Sequence, residues 1–232
     1  MEVVPGTIAV LEYPVRYSGI DLRARMTVVR LEDGSLFLHS PCRMDDETAA
    51  AVRSRGPVSC IVAPGSFHFS HVESAQQAFP EAETWICPGV ERKAPRLRFD
   101  WMLGDRPDPK WAAGMDQVLV RGNRIITEAA FFHKTSRTLI LTDLIENVTD
   151  ATPEVDWKLK LWWKLVFRMW NRPKPAPEYQ LGWSDKQAAA ASLSRILEWD
   201  FTRIVLAHGD LIESDAKTTA RAAWRRPLSA LS

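Results

Sequence analysis

The sequence predicts an α/β fold in which two mixed β-sheets pack back to back and helices cover them on the outside. Strand-like segments dominate the first half of the chain, helix-like segments dominate the remainder, and each β-rich block is closed by a helix. The chain has 232 residues and is 46% hydrophobic, which is enough for one sizeable core. We therefore expect a single domain over residues 1–232.

The first half of the chain alternates apolar runs with turn signals. Glu32-Asp33-Gly34 is typical of a tight hairpin turn, because glycine accepts the positive φ that short turns demand. Asp45 is predicted to cap a helix that runs to about Arg55 and ends at Gly56-Pro57. A short helix is expected over Val72–Phe79. Strands are predicted over Gly6–Val15, Met26–Leu31, Ser35–His39, Val58–Ala63 and Thr84–Cys87.

The second half begins with a basic, proline-rich stretch, Pro88–Pro109, that indicates a loop. Strands follow at Gln117–Val120, Ile125–Phe132, Thr138–Thr142 and Arg203–Ala207. Helices are predicted over Val155–Trp170, from Ser184 with Gln187 in a capping-box pattern, and from about Ser214. Prolines between Pro173 and Pro177 separate the first two of these helices.

The five histidines are concentrated at strand ends, where layered α/β folds place their sites. His68 and His71 follow the strand VSCIVAP in the loop GSFHFSH, and His208 ends the strand RIVLAH. Asp143 follows the strand TLILT in the same way. These four residues predict a divalent-metal site, because two imidazoles on one loop can close on a single ion that wants three or four ligands.

The other two histidines are weighed separately. His133 lies at the turn of the predicted hairpin, and the five residues of the returning strand would place it about 15 Å or more from Asp143. We therefore expect a structural or surface role for His133. His39 ends a strand beside Val58–Ala63, and two interpretations stay open: a structural residue, or a residue that orients a metal ligand.

The order of these motifs resembles the metallo-β-lactamase fold superfamily, whose members carry HxHxDH, a turn histidine, GD and a final GH. On that pattern His68 and His71 match the second and last histidines of the first motif, Asp143 matches the bridging aspartate and His208 the final histidine. The phrases LFLHSP, SRTLILTD and EWDFTRIVLAHG further resemble a poorly characterised branch known only as a domain of unknown function. The resemblance implies a four-layer αββα sandwich, with the two sheets inside and helices outside.

The chain departs from the family motif at three ligand positions and at one glycine. Ser66 and Ser70 replace the first histidine and the aspartate, Asn123 is the only candidate for the turn histidine, and Thr142 replaces a glycine. The resemblance therefore implies one divalent metal, most simply zinc, with iron or manganese as alternatives, held by His68, His71, Asp143 and His208.

The function expected from this site is hydrolysis of a small ester, lactone or related carbonyl compound by a metal-activated water, with Asp143 as the catalytic residue. The alternative is a non-catalytic binding protein with a degenerate metal site, because Ser70 cannot act as a base near neutrality.

The amino-acid composition predicts the cellular compartment and the kind of binding partner. Thirty basic residues balance 29 acidic ones, so no overall field attracts nucleic acid, and a small-molecule substrate or ligand is the expected partner. Three cysteines without a CxxC pair, an acidic Glu2 and the lack of a long apolar run predict a cytoplasmic protein. A homodimer stays open.

The predicted helix Val155–Trp170 is rich in tryptophan, and Lys160, Lys164 and Arg168 recur along it at intervals of four residues. The favoured interpretation is an ordinary helix that covers a sheet. A lid over an apolar ligand and contact with a membrane surface are alternatives.

Overall fold

The computed structural model describes residues 1–17 and 19–231, and its seven-stranded sheet follows chain order. Its first four strands pair antiparallel and its last four pair parallel, so the sheet is mixed. Its strands are β1 (Glu2–Val4), β2 (Ile8–Tyr17), β3 (Ile20–Arg30), β4 (Leu36–His39), β5 (Val58–Ala63), β6 (Glu83–Ile86) and β7 (Trp101–Met102).

The second sheet has four strands in the order β11-β10-β9-β8. They are β8 (Met115–Val120), β9 (Glu128–His133), β10 (Thr138–Ile140) and β11 (Arg203–Val205). β8, β9 and β10 form an antiparallel meander, whereas β10 and β11 are parallel. Parallel strands need a long crossover, and the three helices α5 to α7 lie between β10 and β11 in the chain.

The described residues also form nine helices that pack through their apolar sides. They are α1 (Asp46–Arg53), α2 (Val72–Ala78), α3 (Val90–Lys93), α4 (Pro109–Ala112), α5 (Trp157–Leu165), α6 (Pro177–Gly182), α7 (Lys186–Glu198), α8 (Ala216–Ala223) and α9 (Arg225–Leu228). A 3₁₀ turn at Ser229–Leu231 ends the described chain.

The second sheet is buried on both faces, as the alternation along β9 shows. Ala129 and Phe131 join the core cluster shared with the first sheet. Ala130 and Phe132 instead pack in a second cluster with α7 residues such as Leu193. The predicted α/β class with two mixed sheets and outer helices is therefore confirmed.

Three local predictions differ from the structure for identifiable reasons. Asp185, not Ser184, caps α7, because its carboxylate accepts a hydrogen bond from the Ala188 N–H at 3.0 Å. The proline-rich stretch contains the short helix α3 and strand β7 rather than only loop. The tryptophan-rich helix begins and ends inside its predicted bounds, since Arg168 turns the chain with a φ of 51° shortly after α5. Among the helices of the described residues, none is long and apolar enough to cross a bilayer.

Candidate metal centre

Strand register places Asp143 and His208 side by side. β10 and β11 run parallel with Ile140 opposite Val205. Asp143 and His208 each come three residues after that last matched pair, so both side chains emerge at the same edge of the second sheet. The sequence-level argument from strand ends is thus realised by a parallel pair.

His68 reaches the same edge from the other sheet. β5 ends at Ala63, and the loop that follows is tied to the start of β9: the Ala129 N–H donates to the Pro64 carbonyl, and the Ser66 N–H to the Thr127 carbonyl. These two hydrogen bonds, at 2.7 and 2.8 Å, join the two sheets at the start of the loop that carries His68.

One potential ligand atom from each of His68, Asp143 and His208 lies within 4.8 Å of the other two. The Asp143 Oδ1 atom is 3.1 Å from His68 Nε2 and 3.6 Å from His208 Nε2. Side chains of all three are at most 9% exposed. Within the described residues, this is the group of three or more potential ligands close enough to share an ion, and its two imidazoles and one carboxylate are donors that zinc prefers. We refer to these three residues as the ligand triad.

The far nitrogens of both imidazoles are held by hydrogen bonds. His208 Nδ1 donates to the Arg23 carbonyl oxygen at 2.9 Å. His68 Nδ1 lies 2.8 Å from the Ser40 hydroxyl. Such partners fix ring orientation and turn both Nε2 atoms toward Asp143, which is how proteins prepare histidines as metal ligands. Ser40 adopts a φ of 55°, a conformation that nothing in the sequence reveals.

Asp143 and His68 each shift the pKa of the other toward the charged form. Burial opposes ionisation of Asp143, but the His68 imidazole outweighs it and holds the pKa of Asp143 below its usual value. Burial likewise opposes charge on His68, yet the Asp143 carboxylate raises the pKa of His68. Burial lowers the pKa of His208, so its imidazole is neutral near pH 7 and free to bind a cation.

The Glu128 carboxylate holds the turn that carries Asp143 through backbone hydrogen bonds. It is fully buried and accepts backbone hydrogen bonds from the N–H groups of Thr142, Asp143 and Leu144, at 2.5, 2.9 and 2.9 Å. Burial and the neighbouring Asp143 carboxylate raise the pKa of Glu128 to about 7. Sequence reasoning missed this residue, although a lone glutamate at the start of the apolar strand EAAFFH was a usable signal.

A buried arginine positions the His208 loop in a comparable way. The Arg25 guanidinium donates to the carbonyl oxygens of Leu206 and Gly209, at 2.5 and 2.9 Å, and pairs with Glu12 at 2.5 Å. Strand β3 therefore holds both sides of His208. Sequence reasoning missed Arg25 too, since its burial depends on a contact with residues 181 or more positions away.

The predicted ligand His71 lines the same cavity as the ligand triad but is not part of the group whose ligand atoms lie within 4.8 Å of one another. It immediately precedes α2, and its ring packs edge-on against Tyr13 with 5.6 Å between centroids. Burial, assisted by the Arg43 charge, lowers the pKa of His71 and keeps its imidazole neutral.

The remaining two histidines, His39 and His133, lie outside the ligand triad. His133 pairs with Thr138 across the hairpin, and its Nδ1 atom is 2.7 Å from the Ser136 hydroxyl. His39 is 1% exposed and packs edge-on against Phe131, 5.5 Å between centroids. Ser40, the residue after His39, is the one that contacts a triad histidine.

The buried His39 is expected to make the protein acid-sensitive. Its Nε2 atom has no hydrogen-bond partner among the described residues, and burial lowers the pKa of His39 from 6.5 to about 3. Below pH 6.5, His39 binds a proton in the unfolded chain but not in the native state. The free energy of unfolding therefore falls as the pH is lowered from 6.5 to about 3. At pH 5 the expected loss from this group is about 2 kcal/mol. Chemical denaturation of metal-free protein at pH 7.5 and pH 5 should show that His39→Gln removes this part of the acid sensitivity; identical losses in both proteins would contradict it.

The three substituted positions of the family motif are occupied by side chains with different roles. Asn123 accepts from the N–H groups of Ile125 and Ile126 and donates to the Tyr179 carbonyl, so it shapes a turn. Ser66 is buried, and its hydroxyl accepts from the Thr127 N–H at 3.2 Å. Only Ser70 of the three faces the cavity.

The ligand triad opens into a cavity of about 170 Å³. One part of its wall is apolar and is formed by Tyr13, Val15, Leu22, Ala24, Phe67 and Ile126. The other part is polar and adds Ser70, His71, Glu146 and Glu178 to the triad. The Lys93 ammonium lies 3.2 Å from the centre of the Phe67 ring, close to this wall. The volume admits a small molecule with an apolar body.

Comparison with known proteins identifies a family to which the chain is similar. The model of a family described as a domain of unknown function (DUF4336) matches residues 5–178. Among curated protein sequences, none matches the chain.

Several solved metallo-β-lactamases share the fold. One from Pontibacter korlensis has a TM-score of 0.67 and 8% identity, over 97% of this chain and 97% of its own. FIM-1 from Pseudomonas aeruginosa, in its mono-zinc form, has a TM-score of 0.62 and 10% identity over 97% and 95% of the two chains. A third, from Hirschia baltica, has a TM-score of 0.62 and 10% identity over 96% and 95%. At such identities the comparison establishes the fold and leaves the reaction to be argued from the site.

Proposed function

The chain belongs to the DUF4336 family and has the metallo-β-lactamase fold, and on this premise we propose that it is a metal-dependent hydrolase. The substrate class is a small ester, lactone or related carbonyl compound with an apolar body. One observation carries the proposal: two imidazoles and a carboxylate converge within 4.8 Å in a cavity of about 170 Å³. The expected metal is a single zinc, with iron or manganese as alternatives.

The ligand triad is the donor set that we propose for this ion. Three protein ligands with an open fourth position are typical of catalytic zinc, whereas structural zinc is closed by four. His71, predicted from the sequence as a further ligand, lies on the wall of the same cavity. A second ion has few donors, because Asn123 and Ser66 bind backbone groups instead. FIM-1, which shares the fold, has been solved in a mono-zinc form, and this supports the proposal of a single ion.

Bound zinc would polarise a substrate carbonyl and acidify a water molecule. The chain's own groups would then orient the substrate and move protons. Asp143 is the buried, ionised carboxylate closest to both histidines and is proposed to accept the proton from the attacking water. Tyr13 lines the cavity, and burial raises the pKa of Tyr13 to about 12, so its phenol stays neutral. The phenol interacts with Ser40, and we propose that it also donates a hydrogen bond to substrate.

A proton donor for the leaving group is also present. Burial, together with the nearby Asp143 and Glu178 carboxylates, raises the pKa of Glu146 well above its ordinary value. A neutral carboxylic acid in the cavity wall can protonate a departing alkoxide, which is the role that raised carboxyl pKa values serve in hydrolases. The apolar wall opposite would exclude water from the substrate body.

Metal analysis tests the proposal directly. Protein purified without a polyhistidine tag is expected to contain about one zinc, iron or manganese per chain after reconstitution. His68→Ala and His208→Ala should each abolish binding, whereas His71→Ala should retain most of it, because His71 lies outside the ligand triad.

Three outcomes of that analysis change the proposal. Loss of metal in His71→Ala as well would restore the four-residue ligand set predicted from the sequence. A folded protein that takes up no metal would overturn the hydrolase and favour the alternative, a binding protein that uses the old cleft. Metal retained in the His208→Ala variant would refute the site itself.

The proposed setting is the cytoplasm, with a small-molecule substrate as the partner. Cys42, Cys60 and Cys87 are free and buried, and burial raises the pKa of each thiol, so they are unreactive core residues. Three free cysteines support the proposal of a reducing compartment.

A further inference from the structure

Helix α5 presents an apolar face to the outside of the protein. Trp157, Leu161, Trp162, Leu165 and Val166 are between 50% and 69% exposed. Trp157, Leu161 and Leu165 form one i, i+4 row, and Trp162 and Val166, the residue after the helix, form a second, with exposed Lys158 between the rows. We call the five apolar residues the α5 face. Five large apolar side chains exposed so close together are uncommon on the surface of a protein that binds nothing there.

The inner side of α5 explains why this helix is held in place without burying that face. Leu159 and Trp163 are buried and pack with Val148, Met169 and Trp170 in a separate small core. The α5 face therefore stays available, and packing does not account for its tryptophans. The sequence-level interpretation of α5 as an ordinary covering helix explains the inner residues only.

A basic recess lies beside the α5 face. Lys164, Arg168 and Arg172 line it together with Trp170, in a volume of about 300 Å³. Ion pairs within the described residues involve none of these three cations. Burial and the charges of Arg172 and Arg168 also lower the pKa of neighbouring Lys174, as expected where positive charges crowd together.

The nearby acidic residues do not neutralise the recess. Asp150 pairs with Lys160 at 2.7 Å, and Glu154 pairs with Arg23 at 2.6 Å. Asp156 lies at the opposite end of α5 from Lys164, where its carboxylate accepts from the Lys158 N–H at 2.8 Å. Within the part of the chain that the structure describes, the basic recess therefore carries unpaired positive charge next to the α5 face. Charge complementarity favours binding to a negatively charged surface.

We propose that the α5 face and the basic recess dock together on the anionic surface of a lipid bilayer. The apolar side chains would enter the headgroup region, where tryptophan is favoured, and the three cations would contact lipid phosphates. This combination of an apolar face with flanking lysine and arginine is the pattern of an interfacial helix. A second copy of this chain is a poorer fit, because protein interfaces are depleted in lysine at their core.

The small core beneath α5 adjoins the cavity of the ligand triad. Leu22 packs against the small core beneath α5 and also lines the cavity. Binding at α5 would therefore place the cavity close to the bilayer, where an apolar substrate concentrates. The docking proposal itself does not depend on the proposed hydrolase.

Vesicle co-sedimentation of the full chain tests the proposal. Binding is expected to vesicles of phosphatidylcholine mixed with phosphatidylglycerol, and to be much weaker with pure phosphatidylcholine or at high salt. Two variants should each bind the vesicles at least about tenfold more weakly than the parent. The charge variant is Lys164→Glu/Arg168→Glu/Arg172→Glu, and the apolar variant is Leu161→Ser/Leu165→Ser. Both variants change exposed residues, so unchanged circular dichroism is expected.

A matched control separates local docking from overall charge. Arg96→Glu/Arg106→Glu/Lys186→Glu makes the same charge change at exposed positions elsewhere and should bind as the parent does. Equal losses in the control and the charge variant would overturn the proposal. So would absent vesicle binding, or self-association in sedimentation velocity that only the apolar variant abolishes, which would identify a second copy as the occupant.

Discussion

Replacing Glu128 with glutamine is expected to lower the free energy of unfolding by about 2–4 kcal/mol and metal affinity by about 10–100-fold. The carboxylate accepts three backbone N–H groups through both of its oxygens. A glutamine offers one acceptor oxygen, and its amide group would face an N–H group at 2.5 or 2.9 Å, leaving a buried donor unpaired. Because the middle N–H belongs to Asp143, that ligand would lose its fixed orientation.

Glu146→Gln provides the matched control for this prediction. Glu146 is another buried glutamate near Asp143, 5% exposed, but its Oε2 atom has no hydrogen-bond partner among the described residues. Its replacement should change stability by less than about 1 kcal/mol, because it removes no paired acceptor. Denaturant unfolding and zinc titration at pH 8, where Glu128 is ionised, give both quantities. Equal effects of the two substitutions would show that Glu128 is an ordinary buried charge and not a positioning residue.

The fold was predictable because its determinants are local. Apolar runs, turn residues and helix caps lie within a few positions of the elements they specify, as with Asp45, whose carboxylate accepts the Thr48 N–H that its position predicted. The strand-end placement of His68, Asp143 and His208 was also visible. Parallel register brings Asp143 and His208 together, and His68 reaches them from the other sheet.

The supporting residues could not be predicted in the same way. Arg25 contacts carbonyl groups 181 and 184 positions away, and Ser40, which contacts His68, has a positive φ that no sequence pattern indicates. These contacts depend on how the two sheets are joined, which no local pattern encodes. Motif order also grouped His71 with the ligand triad; in the structure His71 precedes α2 and lines the same cavity, and its role as a ligand stays a prediction.

Gly209→Ala is the second substitution with a large expected effect, because two costs combine at this position. Gly209 has a φ of +87°, and an added Cβ would lie 2.2 Å from the Asn147 carbonyl oxygen. The backbone conformation costs about 1–2 kcal/mol for alanine, and relieving the overlap costs about 1–3 kcal/mol more. The Asp210 N–H donates to that same carbonyl at 2.8 Å, so the overlap would push apart two segments that flank the site.

Gly34→Ala isolates the first cost from the second. Gly34 has nearly the same φ, +85°, but no atom lies within 4 Å of its added Cβ. We expect it to lose about 1–2 kcal/mol and to keep its metal. Gly209→Ala should lose more, and it should bind metal more weakly because Gly209 follows the ligand His208 and its carbonyl accepts from Arg25. Thermal unfolding and metal content of the two variants decide the matter. If both lose the same stability and retain the same metal, the close approach to Asn147 does not hold the His208 loop in place.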